Sequence, residues 1–177
     1  MILINPADRT QRPKQKKYIP KIYDAKQLKV LINAVKGTAI EVPIMICCHY
    51  ALRRGEVLGL QWKNIDFENR TILICSSVVR ASEAILQDST KTESSNRILP
   101  MNDEICNFLK IHKMKQKSNR RLFGNMYNDN DFVCTWPDGK PFSPEYLSHA
   151  FKSILKKNNL DINEKAKALQ QMERLLF

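Results

Sequence analysis

The sequence lacks any apolar stretch long enough to cross a membrane. Its apolar start, Met1 to Ile4, ends at Asn5 and Pro6 and is shorter than the core of a signal peptide. These absences predict a soluble protein in the cytoplasm, with no membrane partner.

The cysteine patterns typical of zinc sites and of disulfide frameworks are also missing. The five cysteines lack the short paired spacings of a zinc site and the even count of a small disulfide framework. They are Cys47, Cys48, Cys75, Cys106 and Cys134. We therefore expect buried, reduced thiols and no metal site.

Acidic residues are scarce beside basic ones. The chain has 29 Lys and Arg against 18 Asp and Glu, a formal net charge of +11. A surface of this sign attracts polyanions, so nucleic acid is the first partner to test. A basic but inert protein is the alternative, and charge alone does not exclude it.

Residues 1–23 contain prolines and clustered cations, which predict an extended basic arm instead of a helix or buried strand. Such a run is consistent with a solvated linker, with contact to DNA phosphates, or with both. The predicted DNA contacts in the arm are Lys14, Lys16 and Lys17.

Capping patterns predict where the first helices begin. Asp24 with Gln27, and Thr38 with Glu41, each precede apolar residues at helical spacing. The first helix should stop at Gly37, and the second should run on through Leu52. A short third helix is predicted over Arg53 to Leu60.

The pattern then changes from helical spacing to short β-branched runs. Strands are predicted at Thr71–Val79, Ala84–Gln87 and Arg97–Leu99, followed by a helix from Asn102 and another over Pro144–Lys157. The predicted fold class is mainly α with a small antiparallel β-sheet (α+β). Residues 24–160 should form the folded domain, and residues 161–177 a tail with the pattern of an amphipathic helix.

The most informative segment runs from Ala51 to Asp66 and contains Arg53 with Glu56 three residues later. An arginine held by packing presents parallel N–H donors to phosphate oxygens, and a glutamate one turn away can orient it. A plain surface ion pair is the alternative.

This segment resembles the first conserved box of the tyrosine-type site-specific recombinases, the phage integrase family. The family's box has a Gly/Ala-Leu-Arg-x-x-Glu core followed by Leu-x-Trp-x-Asp-Ile-Asp, and here Leu60, Trp62 and Asp66 follow in register. The resemblance makes Arg53 the first catalytic arginine and Glu56 its supporting acid. The neighbouring Arg54 is a predicted DNA contact.

A second segment, Ser89 to Pro100, resembles the β-hairpin of the same family and aligns Lys91 with its catalytic lysine. A hairpin lysine can donate a proton to a departing alkoxide if its pKa is lowered. An ordinary exposed lysine is the alternative. Thr92 and Arg97, in the same segment, are predicted DNA contacts.

The resemblance covers about residues 5 to 160. It implies a catalytic domain that breaks and rejoins double-stranded DNA through a phosphotyrosine, without metal or other cofactor. The family's His-x-Leu-Arg-His box and nucleophilic tyrosine do not appear after Leu160, and His149 and Tyr146 fit helix packing or the helix surface better. We therefore expect an incomplete catalytic domain that is inactive alone. Its uncovered apolar surface should lead to self-association, or the tail from Asn163 onward should fold back over it.

Two other classes of function remain open at this stage. One is a non-enzymatic DNA-binding remnant with no recombination activity. The other is an unrelated basic protein that binds RNA or has a structural role, for which Arg53→Ala would remove only one charge.

Overall fold

The computed structural model describes residues 23–78, 86–88 and 96–160, with only the backbone described at 86–88. Helices dominate these residues, and the strands are short. The helices are α1 (Ala25–Val35), α2 (Glu41–Tyr50), α3 (Arg54–Leu58), α4 (Asp103–Phe123) and α5 (Pro144–Lys157). The strands are β1 (Ile65–Asp66), β2 (Thr71–Ile74), β3 (Ser76–Val78), β4 (Leu86–Asp88) and β5 (Arg97–Pro100).

Helix α1 begins where the capping pattern predicts. The Asp24 carboxylate accepts from the Gln27 amide at 2.7 Å, and the Gln27 side-chain oxygen accepts from the Asp24 amide at 3.0 Å. Two donors at the helix end that have no partner within the helix are satisfied in this way. Leu31 and Val35 on the buried face of α1 then join the core.

The predicted cap of α2 is wrong. The residue before the helix is Ile40, and no side chain caps it. The Thr38 hydroxyl instead donates to the Val35 carbonyl at 2.6 Å, and the Glu41 carboxylate accepts from the Gly37 amide at 2.9 Å. Both side chains therefore satisfy groups at the end of α1, where Gly37 turns the chain with a φ of 74°.

The single strand predicted over Thr71–Val79 is divided between two sheets. Strand β2 lies in a three-stranded antiparallel sheet of order β1-β2-β5, whereas β3 pairs with β4 alone. In the first sheet Ile74 lies opposite Arg97 and Thr71 opposite Pro100. The predicted fold class, mainly α with small antiparallel β structure, is confirmed.

Helices α4 and α5 begin as predicted. The Asn102 side chain accepts from the Ile105 amide at 2.9 Å, and Ser143 accepts from the Tyr146 amide at 3.0 Å just before Pro144. Tyr146 packs against Trp136 and Phe142, as expected of a packing residue. The arm through residue 22 and the tail 161–177 lie outside the described residues.

The predicted burial of the cysteines is correct for two of the five. Cys106 and Cys134 are buried, whereas Cys47, Cys48 and Cys75 are partly exposed, and all five are free thiols. Burial raises the pKa of Cys47 to about 11, so its thiol stays protonated at neutral pH. Within the described part of the chain, no helix is both long and apolar enough to cross a membrane.

His112 on α4 makes the free energy of unfolding depend on pH. Its ring packs beside Trp62, its Nε2 lies 2.8 Å from the Val133 carbonyl oxygen, and burial lowers its pKa below the ordinary 6.5. The unfolded chain therefore takes up a proton near pH 6.5, while the folded chain takes it up only at lower pH. The stabilisation is complete above that range and is lost as the pH falls through the folded pKa.

We expect urea titrations at pH 7.5 and 5.5 to show a lower free energy of unfolding at the acidic pH. The loss between these two pH values is at most about 1.4 kcal/mol, because pH 5.5 lies one unit below the ordinary pKa of histidine. The free energy of unfolding of the variant His112→Gln should fall by less between the two pH values. An equal fall in both proteins would contradict the assignment of the pH dependence to His112.

Candidate active site

Arg53 stands at the entrance of α3 with its side chain in solvent. Helix α2 ends because Ala51 adopts a left-handed conformation, with a φ of 50°, and the Ala51 amide bonds the Cys47 carbonyl at 2.9 Å. The next residue, Leu52, is buried and fixes the chain before α3. Arg53 is extended, and its side chain is 83% exposed.

Glu56 lies behind Arg53 as a buried carboxylate whose side chain is 5% exposed. It accepts from the Arg53 amide at 2.9 Å and from Arg53 Nη1 at 3.3 Å. A buried carboxylate needs such partners to remain charged. The backbone bond closes the first turn of α3, and the side-chain bond orients the exposed guanidinium.

Arg97 is the second arginine on Glu56. Its Nη1 and Nη2 donate to the two carboxylate oxygens at 3.2 and 2.8 Å, which makes the contact bidentate. This contact is the main cause that holds the pKa of Glu56 below its ordinary value, with burial opposing it. Because Arg97 begins β5, the ion pair joins the three-stranded sheet to α3.

Arg54 points towards a different element from its neighbour Arg53. Its Nη1 donates to the Ser148 hydroxyl at 2.6 Å and to the Pro144 carbonyl at 3.3 Å. These bonds tie α3 to the N-terminal part of α5. DNA contact by Arg54 and by Arg97 remains a prediction, and both side chains already have protein partners.

Strand β3 packs directly against the backbone of α3. A Cβ atom placed on Gly55 would lie 2.4 Å from Ser77 Oγ and 2.9 Å from the Val78 carbonyl oxygen, and one on Gly59 would lie 3.0 Å from the Ser76 carbonyl oxygen. The buried Ser76 hydroxyl also donates to the Gly59 carbonyl at 2.7 Å. Helix α3 is therefore held by β3 on its glycine face and by Arg97 at Glu56.

The remaining predicted site residues lie outside the described residues. They are Lys91 and Thr92 in the segment between β4 and β5, and Lys14, Lys16 and Lys17 in the arm. In the ranges that the structure covers, no three His, Cys, Asp or Glu side chains gather closely enough to hold a metal ion.

The sequence did not predict the role of Gln116, a buried polar residue bonded to Trp62 of the conserved segment. Gln116 of α4 is buried, accepts from the Trp62 indole at 2.7 Å and donates to the Val133 carbonyl at 3.1 Å. Its position among exposed lysines on α4 hides this role. For Arg97 the sequence offered only a positive charge, which suggested a contact with DNA and not an ion pair with Glu56.

Comparison with known proteins identifies relatives of this chain. Residues 21–170 match the model of the phage integrase family. A "Tyrosine recombinase XerC-like" protein of Caldanaerobacter subterraneus subsp. tengcongensis is 25% identical over 145 residues, covering 75% of this chain and 37% of the relative. The integrase of Staphylococcus phage L54a is 30% identical over 117 residues, covering 64% of this chain and 32% of the phage protein.

Solved structures show the same fold. The integrase of the Tn1549 transposon, in complex with a circular intermediate DNA, superposes with a TM-score of 0.65 at 22% identity, covering 82% of this chain and 47% of that one. XerA recombinase superposes with a TM-score of 0.56 at 20% identity, covering 85% and 47%. The chain spans about a third of the length of these sequence relatives and just under half of the structural ones.

Proposed function

Because the chain belongs to the phage integrase family, we propose that it forms part of a DNA recombinase, binds double-stranded DNA and contacts a backbone phosphate through Arg53. The observation that carries the proposal is the exposed guanidinium of Arg53, fixed from behind by the buried carboxylate of Glu56. Among the described residues, Glu56 is the acceptor bonded to this guanidinium, and the Arg53 side chain is 83% exposed.

An exposed arginine held in this way suits phosphoryl transfer. Negative charge develops on the phosphate oxygens in the transition state, and donors fixed in advance stabilise that charge without having to reorganise. Glu56 and the buried Leu52 restrict the Arg53 side chain before any DNA arrives. In the proposed reaction a tyrosine attacks the phosphorus and the 5′ oxygen leaves.

Lys91 is proposed as the donor of a proton to that leaving oxygen. It precedes Arg97 by six residues in the chain, and Arg97 is bonded to the same carboxylate as Arg53. Six residues span at most about 20 Å, which allows Lys91 to reach the surroundings of Arg53. The arm cations Lys14, Lys16 and Lys17 are proposed as further phosphate contacts.

Replacing Arg53 with alanine should weaken binding to duplex DNA about tenfold, a loss of about 1.4 kcal/mol, because one charge-assisted phosphate contact disappears. The slope of log affinity against log salt should become shallower by about 0.9. Fluorescence anisotropy with a labelled duplex, repeated from 50 to 200 mM salt, measures both quantities.

The matched control is Arg70→Ala, which removes another partly exposed, ion-paired arginine. Arg70 bonds Asp103 at 2.6 Å and lies at the opposite end of the β2–β5 pair from Arg97. It should change the affinity less than twofold. Equal losses in the two variants would show that only net charge matters and would contradict the proposed site, as would tighter binding to single-stranded RNA.

The non-enzymatic alternative, DNA binding without strand cleavage, needs a different readout. A nicked duplex that traps a covalent intermediate separates the two functions on a denaturing gel. We propose that the chain alone binds this substrate without forming an adduct. Among the four described tyrosines, the hydroxyls of Tyr23 and Tyr50 donate to backbone carbonyls, Tyr127 is hydrogen-bonded to Thr135, and Tyr146 is packed among aromatic rings. A covalent adduct with the 177-residue chain would overturn this proposal and leave the proposed DNA binding intact.

A further inference from the structure

Glu56 is shared unequally between two arginines that have different exposure. Arg97 bonds both of its oxygens, at 3.2 and 2.8 Å, whereas the Arg53 guanidinium makes one longer bond of 3.3 Å. The Arg53 side chain is 83% exposed and that of Arg97 is 38% exposed. The better-bonded arginine is thus the one that lies deeper.

This division has a chemical reason. A buried carboxylate without Arg97 would still require compensation for its charge, and among the described residues the other cation bonded to Glu56 is Arg53. Arginine and carboxylate prefer a two-bond contact, so Arg53 would be drawn back onto Glu56. Its donors would then face the protein and would no longer face solvent.

The position of Arg97 in the fold keeps its side chain on Glu56. It is the first residue of β5, and its backbone is fixed by the pairing with Ile74 of β2. The pKa of Arg97 is raised, chiefly by its bonds to Glu56. A side chain engaged in this way with the interior of the site has fewer donors left for DNA.

We propose that Arg97 is a positioning residue for phosphate binding: it occupies Glu56 and thereby keeps the guanidinium of Arg53 available to DNA. It acts through Glu56 and Arg53 and makes no phosphate contact of its own. This inference rests on the proposed function of Arg53, and it replaces the expectation that Arg97 itself touches DNA.

A double-mutant cycle tests this proposal. The four proteins are the parent chain, Arg97→Gln, Arg53→Ala and the double variant, each titrated with the same labelled duplex across the salt series. We expect Arg97→Gln to weaken binding about fivefold in the parent chain, or about 1 kcal/mol. In the Arg53→Ala background the same change should cost less than about 1.5-fold, because the residue through which it acts is gone.

The milder variant Arg97→Lys separates positioning from charge. Lysine keeps the positive charge but cannot bond both carboxylate oxygens in the planar geometry of a guanidinium. We expect Arg97→Lys to lose at least half of the binding free energy that Arg97→Gln loses. Wild-type affinity for the lysine variant would overturn the proposal, since charge alone would then suffice.

The outcomes distinguish this inference from the proposed function. Losses that add in the double variant, with the salt slope lowered by about 0.9 for each arginine, identify Arg97 as an independent phosphate contact and overturn the inference alone. An Arg53→Ala variant that binds like the parent chain overturns both. Circular dichroism melts restrict the comparison to proteins that are folded at the assay temperature. If Arg97 has a purely structural role, the loss of DNA affinity on Arg97→Gln will be the same with and without Arg53.

Discussion

Replacing Gly55 with alanine is expected to lower the free energy of unfolding by about 3 kcal/mol, although glycine to alanine within a helix usually stabilises a protein. The added methyl group would lie 2.4 Å from Ser77 Oγ and 2.9 Å from the Val78 carbonyl oxygen. The hydroxyl can rotate away, but the backbone oxygen cannot, so β3 must separate from α3. Urea denaturation monitored by circular dichroism gives the change.

The double variant Gly55→Ala with Ser77→Ala distinguishes the two contacts. Removing the hydroxyl relieves the 2.4 Å contact and leaves the Val78 oxygen in place. We therefore expect partial recovery, by less than half of the loss. A Gly55→Ala protein as stable as the parent chain would show that β3 does not pack against α3 as closely as described.

Replacing Gln116 with leucine is expected to cost about 2 kcal/mol, seen as a fall in melting temperature of roughly 4 to 8 °C. Leucine fills a similar volume but cannot accept from the Trp62 indole N–H or donate to Thr135 Oγ, bonds that are 2.7 and 2.8 Å long here. The buried indole donor would lose its partner. The loss of that partner, and not a cavity, is the source of the expected cost.

The matched control for Gln116→Leu is Asn107→Leu, which makes the same change from amide to aliphatic side chain on the exposed face of α4. It should change the melting temperature by less than about 2 °C, since surface substitutions cost little. Equal shifts in the two variants would mean that a lost helix-surface amide, and not the bond to Trp62, determines the effect.

The sequence was sufficient to predict the parts of the site that depend on local spacing. Arg53 and Glu56 are three residues apart, so any helix beginning between them brings their side chains together. The same holds for the cap of α1, where Asp24 and Gln27 bond each other. In both cases the interacting groups lie within one turn, and no tertiary structure has to be known.

Contacts between distant residues were not predictable in this way. Arg97 is 41 residues from Glu56, and their contact depends on the β2–β5 register, which places Arg97 opposite Ile74. The error at Thr38 has a related cause. Its hydroxyl had two possible backbone partners, and the turn at Gly37 directed it to the carbonyl of Val35 instead of the start of α2.

At Cys75 the chain passes from one sheet to the other, so the strands on its two sides have different partners. Strand β2 takes its register from β5, and β3 takes its register from β4, so neither pairing sets the other. Residues added or removed beyond β3 would change the two-stranded ribbon and still leave Ile74 facing Arg97. A change of length in this segment therefore leaves the Glu56 carboxylate between the guanidinium groups of Arg53 and Arg97.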